Sequence, residues 1–311
     1  MRNRRTFIKE MLAGALVAHT AGFPALVQAA PASELLTILH TNDVHSRIEP
    51  FPEDDKKYPG MGGAAPRAAL IEKLRRHKEQ VLLLDAGDIF QGTPYFNFFH
   101  GDVEIDVMNQ MGYNAATIGN HDFDGGMDNL ARQIGRANFP FVNCNYDFSN
   151  TVLAGKVHPY VVIKKGRLKI GITGCGVELE GLVPEPLYGK TKYLSPVECV
   201  QQQVDILRGK HQCHLVICLS HLGYQYDSAK VSDKVLAQQT HGIDVIIGGH
   251  THTFLEQPFI AKNNKGKEVL INQVGWAGLQ LGVLDYKFEK KSGKKIANYQ
   301  TVIVDKKSIA I

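Results

Sequence analysis

Short apolar runs alternate with amphipathic stretches along most of the chain, and this alternation predicts the order of its elements. The runs are rich in Leu, Ile and Val, which is typical of strands buried on both faces. The expected strands are residues 35–39, 81–84, 115–118, 141–144, 160–163, 169–173, 215–219 and 245–247. The expected helices are residues 64–77, 104–111, 127–137, 196–208 and 232–240. Strands and helices in this order indicate an α/β fold.

The end of the chain has a different pattern. Residues 268–274 and 279–289 favour long strands, and a turn at Ser292-Gly293 precedes a returning strand over 296–304. We expect these three strands to form an antiparallel meander that closes the domain. Trp276, the only tryptophan, lies between the first two strands, where it could stack on a substrate base or cover the sheet. The second role is favoured.

The first thirty residues are unlike the rest. A basic stretch containing Arg4-Arg5 precedes an uncharged stretch over 11–27, and small residues follow at 29–32. This pattern resembles a twin-arginine export signal, so we expect residues 1–30 to be a signal peptide and the protein to be periplasmic or otherwise extracytoplasmic. A membrane anchor is the alternative, but the uncharged stretch is short and contains a histidine and a proline.

Between the signal and the end of the chain, no low-complexity segment marks a linker. We therefore expect one domain over residues 34–304, followed by a short tail over 305–311. Most of the formal net charge of +4 comes from the basic N-terminus, so the domain itself is nearly neutral and nucleic acid is not an expected partner. The five cysteines show no CxxC spacing, which argues against a zinc–thiolate site.

Side chains of metal-ligand type follow directly after five of the apolar runs. The five blocks are His40-Thr41-Asn42-Asp43-Val44-His45, Asp85-Ala86-Gly87-Asp88, Gly119-Asn120-His121-Asp122-Phe123-Asp124, Ser220-His221 and Gly248-Gly249-His250-Thr251-His252. Loops at the carboxyl ends of strands in α/β sheets open onto one crevice, so we expect these blocks to meet. Carboxylate oxygens and imidazole nitrogens without thiolates suit divalent Mn, Zn, Fe or Co.

This set of side chains can support hydrolysis by two metal ions. The candidate ligands are Asp43, His45, Asp88, Asn120, His221, His250 and His252. If one carboxylate bridges, two ions can each have four protein ligands, and such a pair can generate hydroxide and clamp a phosphoryl group during in-line displacement. His121 lies beside Asn120 and can face the substrate, while Asp124 can hold its imidazole and raise the protonated fraction.

Together these motifs resemble the calcineurin-like metallophosphoesterases. The strings His40-Thr41-Asn42-Asp43, Asp85-Ala86-Gly87-Asp88, Asn120-His121-Asp122-Phe123-Asp124 and Asn298-Tyr299-Gln300 are similar to the 5′-nucleotidase branch. The resemblance covers roughly residues 34–304 and implies a single-domain four-layer αββα sandwich with a dinuclear metal centre. It implies that Asp43, His45, Asp88 and His252 hold one ion, and that Asp88, as the bridge, holds the other with Asn120, His221 and His250. It also implies that His121 and Asp124 form the catalytic dyad, with Asn120 and His121 contacting the substrate.

The resemblance further implies an exported, metal-dependent phosphohydrolase that cleaves small phosphomonoesters, nucleotides among them. Full-length 5′-nucleotidases carry a C-terminal domain that grips the phosphate and stacks on the base, and we expect this chain to lack it. A separate protein that supplies such a domain is therefore one expected partner. The alternatives on the same site are a phosphodiesterase, a nucleotide-sugar hydrolase and a thiosulfohydrolase. A non-catalytic metal-binding or interaction module is the alternative of a different class, but metal binding alone does not require His121.

Overall fold

Strands that are apolar on both faces form the centre of the protein. The computed structural model describes residues 33–289 and 293–307. Successive side chains of a strand point to opposite faces, so Leu36 and Ile38 enter one core while Leu39 enters another. Leu83 follows the same rule within its own strand, with its two neighbours facing the other way. Each of these strands therefore needs cover on both sides.

The elements follow the predicted alternation closely. The strands are β1 (Ser33–Thr41), β2 (Val81–Asp85), β3 (Ala115–Ala116), β4 (Tyr146–Asp147), β5 (Tyr160–Lys165), β6 (Leu168–Gly176), β7 (Lys192–Tyr193), β8 (Leu215–His221), β9 (Val245–Gly248), β10 (Phe259–Lys262), β11 (Glu268–Asn272), β12 (Gln280–Glu289) and β13 (Gly293–Ile303). The helices are α1 (Ala64–His77), α2 (Pro94–Phe99), α3 (Asp102–Met111), α4 (Gly126–Arg136), α5 (Glu185–Tyr188), α6 (Pro196–Gly209) and α7 (Asp233–Gln239), with a 3₁₀ turn at His121–Phe123.

Two mixed sheets contain most of the strands. The first has the order β13-β12-β1-β2-β3, and the second has the order β10-β11-β9-β8-β6-β5. Strands β1, β2 and β3 run parallel to one another in the first sheet. Strands β6, β8, β9 and β11 are parallel in the second sheet. The segments that carry the predicted ligands therefore begin at the carboxyl ends of parallel strands.

Three separate cores show how the layers stack. Leu84 of the first sheet and Ile217 of the second share a core that lies between the sheets. Leu83 points the other way and packs with residues of α1, α3 and α4. Val216 points away from the first sheet and packs with residues of α6 and α7. The order helix, sheet, sheet, helix confirms the predicted α/β fold and its αββα sandwich.

The predicted meander is wrong at its first strand. Strand β11 joins the second sheet, between β9 and β10, whereas β12 joins the first sheet and pairs with β13 as an antiparallel hairpin. The turn between β11 and β12 therefore crosses from one sheet to the other. Apolar alternation identifies a strand but does not identify its sheet, so the sequence pattern could not separate the two arrangements.

Several short elements were not predicted, namely α2, α5, β4, β7, β10 and the 3₁₀ turn, and one predicted strand is absent. Helix α2 is rich in aromatic residues and lacks helical periodicity, and it is bounded by Pro94 and a left-handed His100. Strand β10 is a short edge strand with two exposed apolar residues. Residues 141–144 make only isolated bridges, at Phe141 and Val142, instead of a strand.

The predicted signal peptide over residues 1–30 lies outside the described residues. Among the helices of residues 33–289 and 293–307, none is long and apolar enough to cross a membrane.

Candidate metal centre

Two groups of three side chains converge at the carboxyl ends of the parallel strands. Within each group, every residue places one donor atom within 4.8 Å of the donor atoms of the other two. The first group is Asp43, His45 and His252, and the second group is Asp88, His221 and His250. Each group combines residues just after strands of the first sheet with residues at or just after the ends of strands of the second. The structure thus brings together side chains that lie up to about two hundred positions apart in the sequence.

Short distances between donor atoms define the first group. The Nε2 atoms of His45 and His252 are 3.0 Å apart, and Nε2 of His252 is 3.4 Å from Oδ1 of Asp43. In the second group, Nε2 of His221 is 3.0 Å from Oδ2 of Asp88. The same Asp88 oxygen is 3.8 Å from Nε2 of His45 in the first group. Asp88 therefore lies between the two groups, as a bridging carboxylate must.

Asn120 completes the second group. Its Oδ1 atom is 2.7 Å from Nδ1 of His250. The backbone N–H of His250 donates to both carboxylate oxygens of Asp43, each at 3.0 Å, so the second group is also tied to the first. All seven predicted ligand residues therefore lie in one cluster.

The backbone at this cluster is strained. Five of the seven candidate ligand residues have a positive φ although none is a glycine, namely Asp43 at 50°, His45 at 49°, Asp88 at 54°, His250 at 71° and His252 at 52°. Such residues cost on the order of 1–3 kcal/mol each and persist where the surroundings enforce them. Here the enforcement includes a 2.9 Å bond from the Asp43 N–H to the carbonyl of Gly87 and a 3.0 Å bond from the His45 N–H to that of Asp88.

Asp122 holds two of the ligand loops together. Its carboxylate accepts hydrogen bonds from the backbone N–H groups of Asp88 (3.1 Å), Ile89 (2.8 Å), Phe90 (3.2 Å) and Gly119 (2.8 Å). Burial and the neighbouring Asp88 carboxylate raise the pKa of Asp122 to about 7, although its backbone donors act in the opposite direction. The sequence analysis gave Asp122 no role, because its partners are backbone groups that no motif displays.

The histidines present free nitrogen atoms toward the cluster. Nδ1 of His221 donates to the carbonyl of Ala86 at 2.7 Å, and Nδ1 of His45 lies 3.3 Å from the carbonyl of Phe90. A carbonyl can only accept, so these bonds place the proton on Nδ1 and leave a lone pair on Nε2 of the neutral ring. Nε2 of His221 is fully buried and points into the cluster, 3.0 Å from Oδ2 of Asp88. This is the orientation that metal-binding histidines adopt.

The charges at the cluster also fit cations. The carboxylates of Asp43 and Asp88 are almost completely buried, and buried carboxylates need compensating positive charge. Burial disfavours the charged form of His221, but the Asp88 carboxylate outweighs it and raises the pKa of His221 to about 10. Divalent ions can supply the same compensation. The donor set and its electrostatics therefore form two candidate metal-binding sites, composed of oxygen and imidazole ligands.

His121 and Asp124 form a hydrogen-bonded pair beside the cluster. Nδ1 of His121 is 2.8 Å from Oδ2 of Asp124, and the two side chains are 39% and 26% exposed. The hydrogen bond with Asp124 raises the pKa of His121, with burial opposing it. The backbone N–H of His121 donates to Oδ1 of Asp88 at 2.8 Å, and its ring centroid is 5.3 Å from that of His45. The backbone of His121 is therefore anchored to the candidate bridging residue, while its partly exposed imidazole is held by Asp124.

Comparisons with known proteins agree with this geometry. The sequence model of the family described as calcineurin-like phosphoesterase matches residues 36–254. A snake venom 5′-nucleotidase from Gloydius brevicauda is 34% identical over 304 residues, which is 91% of this chain and 50% of that protein. The chain thus spans about half the length of the curated relatives it matches.

Solved structures give the same result. The 5′-nucleotidase precursor from Thermus thermophilus superposes with a TM-score of 0.80 at 32% identity, covering 88% of this chain and 55% of that one. The calcineurin-like phosphoesterase YfkN from Bacillus subtilis has a TM-score of 0.70 at 28% identity, covering 88% of this chain and 91% of that one. The second comparison covers nearly all of the other chain, so the structure of that chain has the same fold over almost its whole length.

Proposed function

The chain belongs to the calcineurin-like phosphoesterase family, and we propose that it is an exported, dinuclear metal-dependent phosphohydrolase of the 5′-nucleotidase type. Its substrates would be small phosphomonoesters, nucleotides among them. The observation that carries the proposal is the position of Asp88 between two groups of donor atoms, beside the His121–Asp124 pair, whose His121 backbone N–H donates to the same carboxylate. A metal-binding module without activity would not need that pair.

Each candidate ion would be held by residues of both sheets. We assign one ion to Asp43, His45, Asp88 and His252, and the other to Asp88, Asn120, His221 and His250. When bound, two divalent ions supply positive charge to the phosphoryl oxygens and lower the pKa of a nucleophilic water. The Asp122 carboxylate accepts hydrogen bonds from the backbone N–H groups of Asp88 and Ile89, and these bonds would keep the Asp88 loop in place during the reaction.

His121 would act as the general acid and contact the substrate together with Asn120. Its Nδ1–H is held by Asp124, so its Nε2 is the atom that can carry the transferable proton to the leaving oxygen. The hydrogen bond that Nδ1–H donates to Asp124 favours the protonated imidazole, which is the form a general acid requires. General acid catalysis of this kind contributes about 10²–10⁴-fold to the rate.

The preference for nucleotides is supported by the names of the relatives. We propose that a separate protein can supply the nucleoside-recognition domain, like the one that full-length 5′-nucleotidases carry. The chain itself spans about half the length of the relatives it matches. The export proposal is supported by the Arg4-Arg5 pattern of the first thirty residues. N-terminal sequencing tests this proposal when the protein is expressed in a host with a twin-arginine export system. Protein that still begins at Met1 would contradict it.

Turnover of a substrate panel tests the function directly. Protein loaded with Mn or Zn should hydrolyse adenosine monophosphate and p-nitrophenyl phosphate, and the Asp88→Asn and His121→Ala variants should lose this activity. His77→Ala is the matched control, because His77 is an exposed histidine at the end of α1. Hydrolysis of bis-p-nitrophenyl phosphate or a thiosulfonate instead of both monoesters would replace the proposal with one of the alternative activities. Metal-loaded protein that cleaves none of them would refute it.

The need for a partner domain is tested with the same panel. If the partner is what recognises the base, the chain alone should hydrolyse adenosine monophosphate and ribose 5-phosphate at rates within about tenfold of each other. Added domain protein from a full-length 5′-nucleotidase should then raise the preference for the nucleotide. Strong preference for the nucleotide without any addition would show that no partner is required.

A further inference from the structure

His252 differs from His45 and His221 in how its ring is held. Its side chain is 38% exposed, whereas those of His45 and His221 are 7% and 0% exposed. Nδ1 of both buried rings lies within 3.3 Å of a backbone carbonyl. In the described part of the chain, no hydrogen bond holds Nδ1 of His252. Metal-binding histidines normally use that bond to fix the ring, so another contact must orient His252.

Trp276 provides that contact. The indole and the His252 imidazole are stacked, with ring centroids 5.7 Å apart and an interplanar angle of 7°. The imidazole also meets the ring of His45, which lies edge-on to it at 71°. The flat indole therefore limits rotation of His252 about its side-chain bonds and leaves the 3.0 Å approach of the two Nε2 atoms intact. The sequence-based expectation that Trp276 covers the sheet did not include this contact with a candidate ligand.

The indole is itself held firmly. Phe51 and Tyr58 meet it edge-on, at centroid distances of 6.0 and 6.4 Å and angles of 77° and 75°. The guanidinium of Arg47 lies 4.0 Å above the Phe51 ring. This aromatic support comes from the segment that directly follows the ligand loop of β1. Trp276 therefore has contacts that fix it independently of His252.

The turn that carries Trp276 is also tied to the ligand loop. The backbone N–H of Ala277 donates to the carbonyl of Asp43 at 2.7 Å. Gly275, Ala277 and Gly278 all have positive φ, which lets the turn bend sharply between β11 and β12. The indole is thus fixed relative to Asp43, which belongs to the same donor group as His252.

We propose that Trp276 is a positioning residue that orients His252 for metal binding at the site of Asp43, His45 and His252. The inference rests on the proposed function, since it requires that site to hold a divalent ion. Trp276 does not itself bind the ion. Its removal should therefore weaken one of the two metal sites and leave the site of Asp88, His221 and His250 almost unchanged.

Metal titration of three variants tests the proposal. In Trp276→Leu, competition with a fluorescent chelator should show a loss of roughly 10–100-fold in affinity for one Zn²⁺ ion, with the other affinity within about twofold of wild type. Trp276→Phe keeps a flat ring and should restore part of the loss. Phe259→Leu is the matched control, because Phe259 is a partly exposed aromatic on edge strand β10.

The single tryptophan provides a second readout. Excitation at wavelengths that the eleven tyrosines do not absorb reports Trp276 alone. Co²⁺ should quench its emission as the site fills, and His252→Ala should shift that quenching to higher Co²⁺ concentration. Circular dichroism melting of each metal-free variant checks that it is folded before titration.

The outcomes separate this inference from the proposed function. If the wild type binds neither ion, the proposed function is wrong. If the wild type binds both ions and folded Trp276→Leu binds both with unchanged affinity, Trp276 has no positioning role. Equal weakening of both ions in Trp276→Leu, or no rescue by Trp276→Phe, would identify a general structural role and would also overturn the inference.

Discussion

Gly119 packs directly against two candidate ligand residues, and this packing predicts the effect of adding one methyl group. A Cβ at this position would lie 2.2 Å from Oδ1 and 2.5 Å from the backbone nitrogen of Asp88. It would also lie 2.7 Å from Cε1 of His221. Gly119 does not have a positive φ, so its backbone tolerates alanine and the effect of Gly119→Ala is purely steric.

The size of the displacement follows from these distances. Ordinary contact begins at 3.4 Å, so the Asp88 oxygen must retreat from 2.2 Å to at least that distance, which is more than 1 Å. A misplacement of about 1 Å at a reacting centre can cost about 10²-fold in rate. The same movement disturbs the 2.8 Å bond that Oδ1 accepts from the His121 N–H. We therefore expect Gly119→Ala to lower kcat/KM by about 10²-fold or more.

The assay is steady-state hydrolysis of p-nitrophenyl phosphate at saturating Mn, with metal content measured on the same sample. Gly135→Ala is the matched control, because Gly135 lies within α4 and a Cβ there meets no atom within 4 Å. Alanine in a helix is favoured over glycine by roughly 0.5–1 kcal/mol, so the control should keep full activity and melt slightly higher.

Activity of Gly119→Ala within a factor of three of wild type, with both metals bound, would refute this reasoning. It would show that Asp88 can move by more than 1 Å without losing its role between the two sites. A loss of activity in Gly135→Ala would instead show that the fold does not tolerate substitutions at glycine in general, and that the distances at Gly119 are not the cause.

Three further outcomes are expected. Asp122→Ala leaves four backbone N–H groups without their acceptor, so urea unfolding in EDTA should show a loss of at least about 2 kcal/mol, and a loss below about 0.5 kcal/mol would contradict the assigned role. Asp124→Asn removes the carboxylate that holds His121, so kcat should fall by roughly tenfold or more while the metal content stays at the wild-type value; loss of metal would contradict the assignment. Burial lowers the pKa of His40 to about 3. Between about pH 6.5 and pH 3, His40 is therefore protonated in the unfolded chain and neutral in the native protein. Stability of the metal-free protein should fall as the pH drops from about 6.5 toward 3, and His40→Gln should flatten that slope; identical slopes would exclude the contribution of His40.

Local pattern was enough to predict most elements and the meeting of the candidate ligand residues in one cluster. Helix α1 has the predicted bounds, and α6 differs by one residue, because amphipathic periodicity and an N-terminal proline are local signals. The sheet assignment of β11 could not be predicted, since it depends on which parallel neighbour the strand meets. The contacts of Asp122 and Trp276 were hidden for a related reason, because only the folded chain creates them.

The two sheets have a consequence for how the protein could be divided. Each donor group takes residues from both sheets, so a fragment that contains only one of them retains an incomplete coordination sphere. The segment over 160–272 carries the strands of the second sheet, and the flanking parts of the chain carry the first. If the proposed sites bind divalent ions, each separated fragment should bind them weakly, and tight binding should return only when the two fragments associate. Ion capture would then serve as a direct reporter of fragment complementation.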